Sequence, residues 1–418
     1  MSKSTRQKLL VAAGILFLIL VLQFFVPNLG QGQVTRMEST GHSVSYNFDD
    51  SPSFHAGNSN FVHFVTRYGL SYRNSNMVIR WSESFNFTRP ISVARGDIVA
   101  VGEERGGRRI YVFNDEGLMY NIEFENAVSF FSVNELGLLS VVVQTTFGHY
   151  VRVYSPLNGR SQRESDFIFY SRIVGDLLYP ILVEVSPSGR YVVIASLDTR
   201  TTLQSVVEFR YLTEADAITN RATQGFIAHR QFHRELVTTL QFMEGERLIV
   251  GTTSDIICFR LVSRMYDVTL VQEEWRITPE NNIAHIAFYN SRYVAYVTGD
   301  RRIGAVDPSP VGTVYVLNLN NDNIGTFSIG RPVTHFSMAH GAMLIGADRN
   351  FHARTLRGAH IWEHNVIHEV RDVIFLGNTD TILVAGANRA EVHERRRVRA
   401  EENTRPERDV RPVLGDYE

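Results

Sequence analysis

Lysine is almost missing from this sequence. Lys3 and Lys8 are the only two, so the other 40 of the 42 basic residues are arginines. Everything after residue 8 therefore lacks a Schiff-base lysine and a P-loop lysine, and no G-x-x-x-x-G-K-[ST] pattern occurs. Cysteine is scarcer still: Cys258, in the apolar run Asp255-Ile-Ile-Cys-Phe259, stands alone. That excludes an intrachain disulfide, a CxxC pair and a cysteine-based zinc site, and it reads as a buried structural thiol. Net charge is close to zero at −2, so no basic field argues for nucleic acid, and none is expected as a partner. A G-x-S-x-G nucleophile elbow and a D-x-D-x-D-G calcium loop are also absent.

Apolar and aromatic residues are plentiful. Hydrophobic residues make up 44% of the chain, enough for a substantial core, and 26 Phe with 17 Tyr favour strands over helices. The longest apolar run, Leu9 to Val26, is broken only by Gln23 and follows Lys3, Arg6 and Lys8. As a helix it would span ~27 Å, close to the ~30 Å of a bilayer core. The next charge is Arg36. The positive flank keeps the N-terminus cytoplasmic and sends the rest across the membrane.

The expectation is thus an uncleaved, single-pass signal anchor at 9–26 after a cytoplasmic tail at 1–8. A cleaved signal peptide is the alternative, but the run is long and lacks an A-x-A-like site. Residues 27–60, polar and rich in Gly, Ser and Asn, read as a juxtamembrane linker. The mixed-charge stretch 394–418 reads as a disordered tail.

Between them, at 61–393, one pattern recurs: an alternating apolar strand, a turn, then a second apolar strand ending in small or polar residues. Its copies begin near Ile91, Val128, Ile181, Val237, Ile283, Val333 and Val370. The spacing is roughly 37 to 56 residues, as for four-stranded propeller blades. The clearest copy starts at Ile181, where Ser186-Pro-Ser-Gly189 sets the turn. Two further hairpins, Arg109–Phe113 with Leu118–Phe124 and Thr313–Leu319 with Ile324–Ile329, supply outer strands.

The fold class expected is all-β, a seven-bladed β-propeller with eight blades possible. Phe61 to Phe85 is expected to pair with the last hairpin and close the ring. Trp81, Trp275 and Trp362 share one repeat position, ahead of the next blade's first strand, where an indole can wedge neighbouring blades apart at a fixed angle.

The stretches Arg67-Tyr-Gly-Leu, Ile79-Arg-Trp-Ser, Arg109-Ile-Tyr-Val-Phe-Asn-Asp-Glu-Gly117 and Val185-Ser-Pro-Ser-Gly-Arg190 lie within Val65 to Tyr211. This region resembles an uncharacterised family of membrane-anchored β-propeller proteins from clostridia-like Gram-positive bacteria. The resemblance implies an N-terminal anchor and a quinoprotein-like or WD40-like propeller. It carries no activity.

Candidate chemistry is thin. His360, His364 and His368 recur every four residues and would suit zinc or copper on one face. A loop between blades is expected there, and it would break that face. His229 and His233 share the spacing but lack the glutamate of H-E-x-x-H. Glu103-Glu104, Glu273-Glu274 and Glu401-Glu402 are adjacent, so strand alternation points each pair to opposite faces. Asn86-Phe-Thr88 fits a glycosylation pattern common by chance. No catalytic, cofactor-binding or metal residue is therefore assigned.

The expected function is a non-enzymatic binding or scaffold module outside the cytoplasm. It would meet a protein or envelope partner through a propeller face or the insertion 212–234, a helix-like interblade loop holding Glu214 and Asp216. An envelope-polymer sensor using arginines is the alternative. A pyrroloquinoline quinone enzyme with Ca²⁺ is disfavoured by the solitary cysteine.

Overall fold

The computed structural model describes residues 34–398, apart from positions 51, 58, 105 and 147 and segments 156–167, 175–176, 201–203, 213–224, 265–267 and 300–311. The expected anchor at 9–26 and most of the expected tail lie outside the described residues. Among the described residues no helix is long and apolar enough to cross a membrane. The chain divides into a unit of residues 39–394 and a second unit made of residues 1–38 and 395–418.

The strands form eight antiparallel four-stranded sheets. Each is one blade, and the first strands of successive blades touch one another around the axis. Seven innermost strands fall at the repeat starts read from sequence: Pro90–Arg95, Val128–Val133, Leu178–Val185, Val237–Met243, Ile283–Tyr289, His335–Ala339 and Asp372–Phe375. The architecture is a β-propeller, as expected, but with eight blades instead of seven.

The blade missed is the first. Ser53–Ala56, Phe61–Thr66, Gly69–Asn74 and Ile79–Ser84 form a complete sheet of their own. Phe61–Thr66 pairs with Ser53–Ala56, Phe64 facing Phe54 and Val62 facing Ala56. The expected pairing of Phe61–Phe85 with the last hairpin is therefore wrong. That hairpin, Asp372–Phe375 and Thr381–Ala385, continues through Arg389–Val398 to Val34–Ser45. An N-terminal strand thus completes the C-terminal blade.

Within residues 39–394, Thr40 Oγ1 donates to the Val392 carbonyl (3.0 Å), and Tyr46 donates through its amide to Asn388 O (3.0 Å) and through its hydroxyl to Gly386 O (2.8 Å). The stretch 27–60 expected as a linker consequently holds two strands. Their polarity misleads because the outermost strand buries few of its side chains, Val44 among them, and leaves most of the others partly or fully exposed. The last strand runs from Arg389 to Val398.

The core is laminated, not central. Its hydrophobic clusters sit in the seams between neighbours. One joins Tyr191, Val207 and Phe209 of blade 4 to Leu240, Leu248 and Phe259 of blade 5. Another joins Ala100, Ile110 and Ile122 of blade 2 to Phe131, Leu139 and Val141 of blade 3. A third joins Phe54, Val62 and Phe64 of blade 1 to Leu383, Ala385 and Val392 of blade 8. Each blade is thus buried on both faces, and its second strands read as unbroken apolar runs such as Tyr191–Ala195.

The tryptophans occupy these seams as the repeat position predicts. Each lies in the outermost strand of its blade, just beyond a register shift, facing Tyr72, Cys258 and Ala353 respectively. Each indole Nε1 donates to a turn of the following blade: Trp81 to Asp115 O at 2.9 Å, Trp275 to Leu319 O at 2.9 Å, Trp362 to Thr379 O at 2.6 Å.

Blade 2 places Tyr120 at the same register, and its buried hydroxyl donates to Gly137 O at 2.6 Å in blade 3. Blade 6 places Gly325 there, where a Cβ would come 2.6 Å from Leu356 O of blade 7. The seam there closes on backbone, so only glycine fits. Tyr120→Phe, which removes one buried bond and leaves the Gly137 carbonyl in a dry seam, is expected to cost about 1–2 kcal/mol in urea unfolding.

Candidate binding funnel at the propeller axis

The turn joining first to second strand lies at the same end of every blade. In seven blades these turns surround a cavity of about 890 Å³ on the axis. Gly57, Gly96, Glu135, Pro187, the run Glu244-Gly245-Glu246, Asn290-Ser291 and Ala339 contribute in chain order. The turns are tight, and several need left-handed backbone, at Gly96 (φ 56°), Glu246 (φ 56°), Asn290 and Ser291 (both φ 50°). They hold the rim rigid and present backbone as well as side chains. The wall is apolar and aromatic in part, with Ala94, Met243, Phe288, Tyr289, Phe336 and Met338.

Two ion pairs are built into the rim. Arg95, ending the first strand of blade 2, reaches past blade 3 to Glu184 in the first strand of blade 4, Nη2 to Oε1 2.7 Å. Burial raises the Glu184 carboxyl pKa, with Arg95 opposing. In blades 5 and 6, Glu244 pairs with Arg292, whose guanidinium lowers the Glu244 pKa. A second cavity of about 180 Å³ lies beside Ser132, Glu184 and Thr239, and it shares Ala94 and Arg95 with the first. There Ser132 donates to Val183 O at 2.6 Å and lies 2.8 Å from the Ser140 hydroxyl.

Further titratable groups sit on the innermost strands. His55 Nε2 and Ser92 Oγ are hydrogen-bonded at 2.7 Å, and Ser53 Oγ lies 2.5 Å from Ser92 Oγ. Burial, with the His63 ring adding to it, draws the His55 pKa down to about 4. Toward the other mouth His335 Nδ1 lies 3.6 Å from Asp372 Oδ1, and His285 Nε2 meets Val333 O at 3.0 Å. Burial lowers His335 and raises Asp372 against their mutual attraction.

Between pH 6.5 and about 4 the unfolded chain takes a proton at His55 that the folded chain refuses, so stability falls as the pH drops through that window. Discounted for its partial exposure, the contribution of His55 is about 2 kcal/mol. His55→Gln is expected to flatten the acid limb of a stability–pH profile by that amount.

His360 and His364 lie in one continuous strand, His360–Asn365, contrary to the expected loop, while His368 lies beyond it. The His364 ring lies 4.9 Å from that of His393. Among the described residues no three His, Cys, Asp or Glu side chains come together to hold a metal ion. His229 and His233 belong to Phe226–His233, the outermost strand of blade 4. The insertion 212–234 is therefore not interblade: it comprises that strand and the connection to it from Gln204–Tyr211 of the same blade, and its segment 213–224, with Glu214 and Asp216, lies outside the described residues.

The adjacent carboxylates diverge. Glu103 accepts the amides of Thr88 (2.8 Å) and Arg89 (2.5 Å) while Glu104 faces Arg89 at 3.7 Å. Glu273 pairs with Arg276, and Glu274 with Arg247 and Arg260. Asn86 is exposed. Cys258 is fully buried, its thiol pushed up to about 12 by burial and the Glu274 carboxylate.

Sequence reasoning missed the funnel residues themselves. Arg95 and Glu184 are 89 residues apart. Only an alignment of all the repeats, with the first-strand ends superposed, would have brought them to one ring.

BamB from Moraxella catarrhalis is similar at 11% identity and TM-score 0.48, over 86% of this chain and 99% of that one. The WD40 domain of coronin from Toxoplasma gondii is similar at 10% and 0.46, over 88% of each. Hydrazine synthase from Kuenenia stuttgartiensis is similar at 10% and 0.41, over 88% and 98%. No curated protein matches the sequence. The model of DUF5711, a family of unknown function, matches residues 39–393, and this eight-bladed propeller chain belongs to that family.

Proposed function

We propose that the chain is a non-catalytic binding module, held at the outer face of the cell membrane by residues 9–26, whose axial funnel docks an envelope partner. The funnel carries this reading. An opening of about 890 Å³, rimmed by tight turns from seven blades and walled in part by aromatic and methionine side chains, is a concave surface of the kind that takes a ligand or an inserted segment.

The test is photocrosslinking in cells from p-benzoylphenylalanine at position 289. A discrete protein adduct, lost when the same group is placed at exposed Tyr68 on the opposite end of blade 1, supports the reading. Adducts to cell-wall polymer alone favour the sensor alternative. The chain is expected in the membrane fraction and to leave it when residues 1–33 are removed.

A further inference from the structure

The charge balance of the funnel specifies its occupant more closely. This step rests on the funnel being a docking site. We propose that it receives an extended, cationic protein segment whose arginine or lysine side chains are flanked by apolar residues.

The funnel lining holds two arginines. Both are already neutralised, Arg95 by Glu184 and Arg292 by Glu244. A phosphate or carboxylate polymer would have to compete with a carboxylate for either one, and taking Arg95 leaves Glu184, a side chain only 9% exposed, without its cation. The lining carboxylates are in the opposite position. Glu135 and Glu246, on blades 3 and 5, have no ion pair among the described residues.

Glu246 adds a more specific mark. Its Oε2 is shut off from solvent and meets no hydrogen-bond donor. A buried acceptor of that kind costs about 1–3 kcal/mol while unsatisfied, and more when charged. Glu246 is part of the funnel lining, so a guanidinium or ammonium there supplies the missing donor and charge together once the carboxylate turns toward it. The remaining lining suits the rest of such a segment. Phe288, Phe336 and Met338 can take an aliphatic stem, and the Tyr289 ring can meet a cation over its face.

The probe is a fluorescein-labelled nonapeptide with two arginines among leucines and alanines, followed by anisotropy against the full chain. A twin with glutamates in place of the arginines is the control. The arginine peptide is expected to bind and the glutamate twin not to, with affinity falling as salt rises. Glu135→Gln combined with Glu246→Gln is expected to weaken binding at least about tenfold. Its melting temperature should stay at the parent value, which separates lost recognition from lost fold.

Equal binding of the twins overturns the proposal, as does full affinity in the double variant. Binding that appears only when residues 399–418 are removed overturns it in favour of the chain's own arginine-containing C-terminal stretch. If the arginine peptide fails at about 1 mM while position 289 still captures a discrete protein, the docking site stands and its cationic chemistry falls. If both fail, the docking reading falls as well.

Discussion

Trp362→Ala is expected to lower the unfolding free energy by about 3–5 kcal/mol, the range for removing a buried aromatic from a packed site. Trp362 is 1% exposed and is the largest fully buried side chain among the described residues. Its ring meets Phe375 of blade 8 edge to face at 6.2 Å, and its Nε1 donates to Thr379 O. Truncation opens a void between two sheets that are themselves rigid, so little can collapse to fill it.

The same change at Trp81 serves as the comparison. That indole makes the equivalent bond but is half-buried, stacked on Phe113 at 5.9 Å. Its loss is expected to be about half as large, since water reaches part of the space left behind. Urea unfolding followed by circular dichroism distinguishes the two sites. Equal losses would mean that the shared indole bond, and not the depth of burial, sets the contribution of this repeat position.

That repeat position also shows what is readable in the sequence. Three tryptophans in register mark a seam because an indole has few other reasons to recur at that spacing. Tyr120 and Gly325 hold the same place but are invisible to the same search. The residue required depends on how far away the next blade's turn lies, a distance of three-dimensional origin: a ring bridges a wide seam and glycine admits a closed one. Likewise, the seven innermost strands were legible because each precedes a second strand buried on both faces, such as Leu344-Ile345 or Leu383-Val384.

Blade 1 escaped because its innermost strand is four residues long, Ser53-Phe-His-Ala56, and two of the four are polar. The funnel was least legible of all. Its rim is assembled from one or two residues of each turn, and turn sequences answer first to backbone geometry. Glu135 and Glu246 therefore resemble ordinary surface residues until the ring places them around one opening.

Ring closure sets the other large effect. Replacing residues 39–45 by an equally long Gly-Ser stretch is expected to lower the stability of the propeller by about 3 kcal/mol or more. Burial of one aliphatic side chain such as Val44 is worth about 1.5–3 kcal/mol. The Thr40 bond to Val392 adds about 0.5–1.5 kcal/mol. Poor strand propensity of Gly and Ser adds to both.

The structural consequence is more specific than the number. Without that strand, Arg389–Val398 becomes the free edge of blade 8, the position from which a sheet frays. It carries Arg389, Arg395 and Arg396. Limited trypsinolysis should therefore cut the variant first within this strand, at native temperature, while the parent chain resists there. The fragment left should keep Trp275 shielded longer than Trp362, because the seam between blades 7 and 8 opens before that between blades 5 and 6. If the variant melts at the parent temperature and the strand stays uncut, the two termini are not what holds the ring shut. The seam cluster of Phe54, Phe64 and Leu383 would then close it unaided.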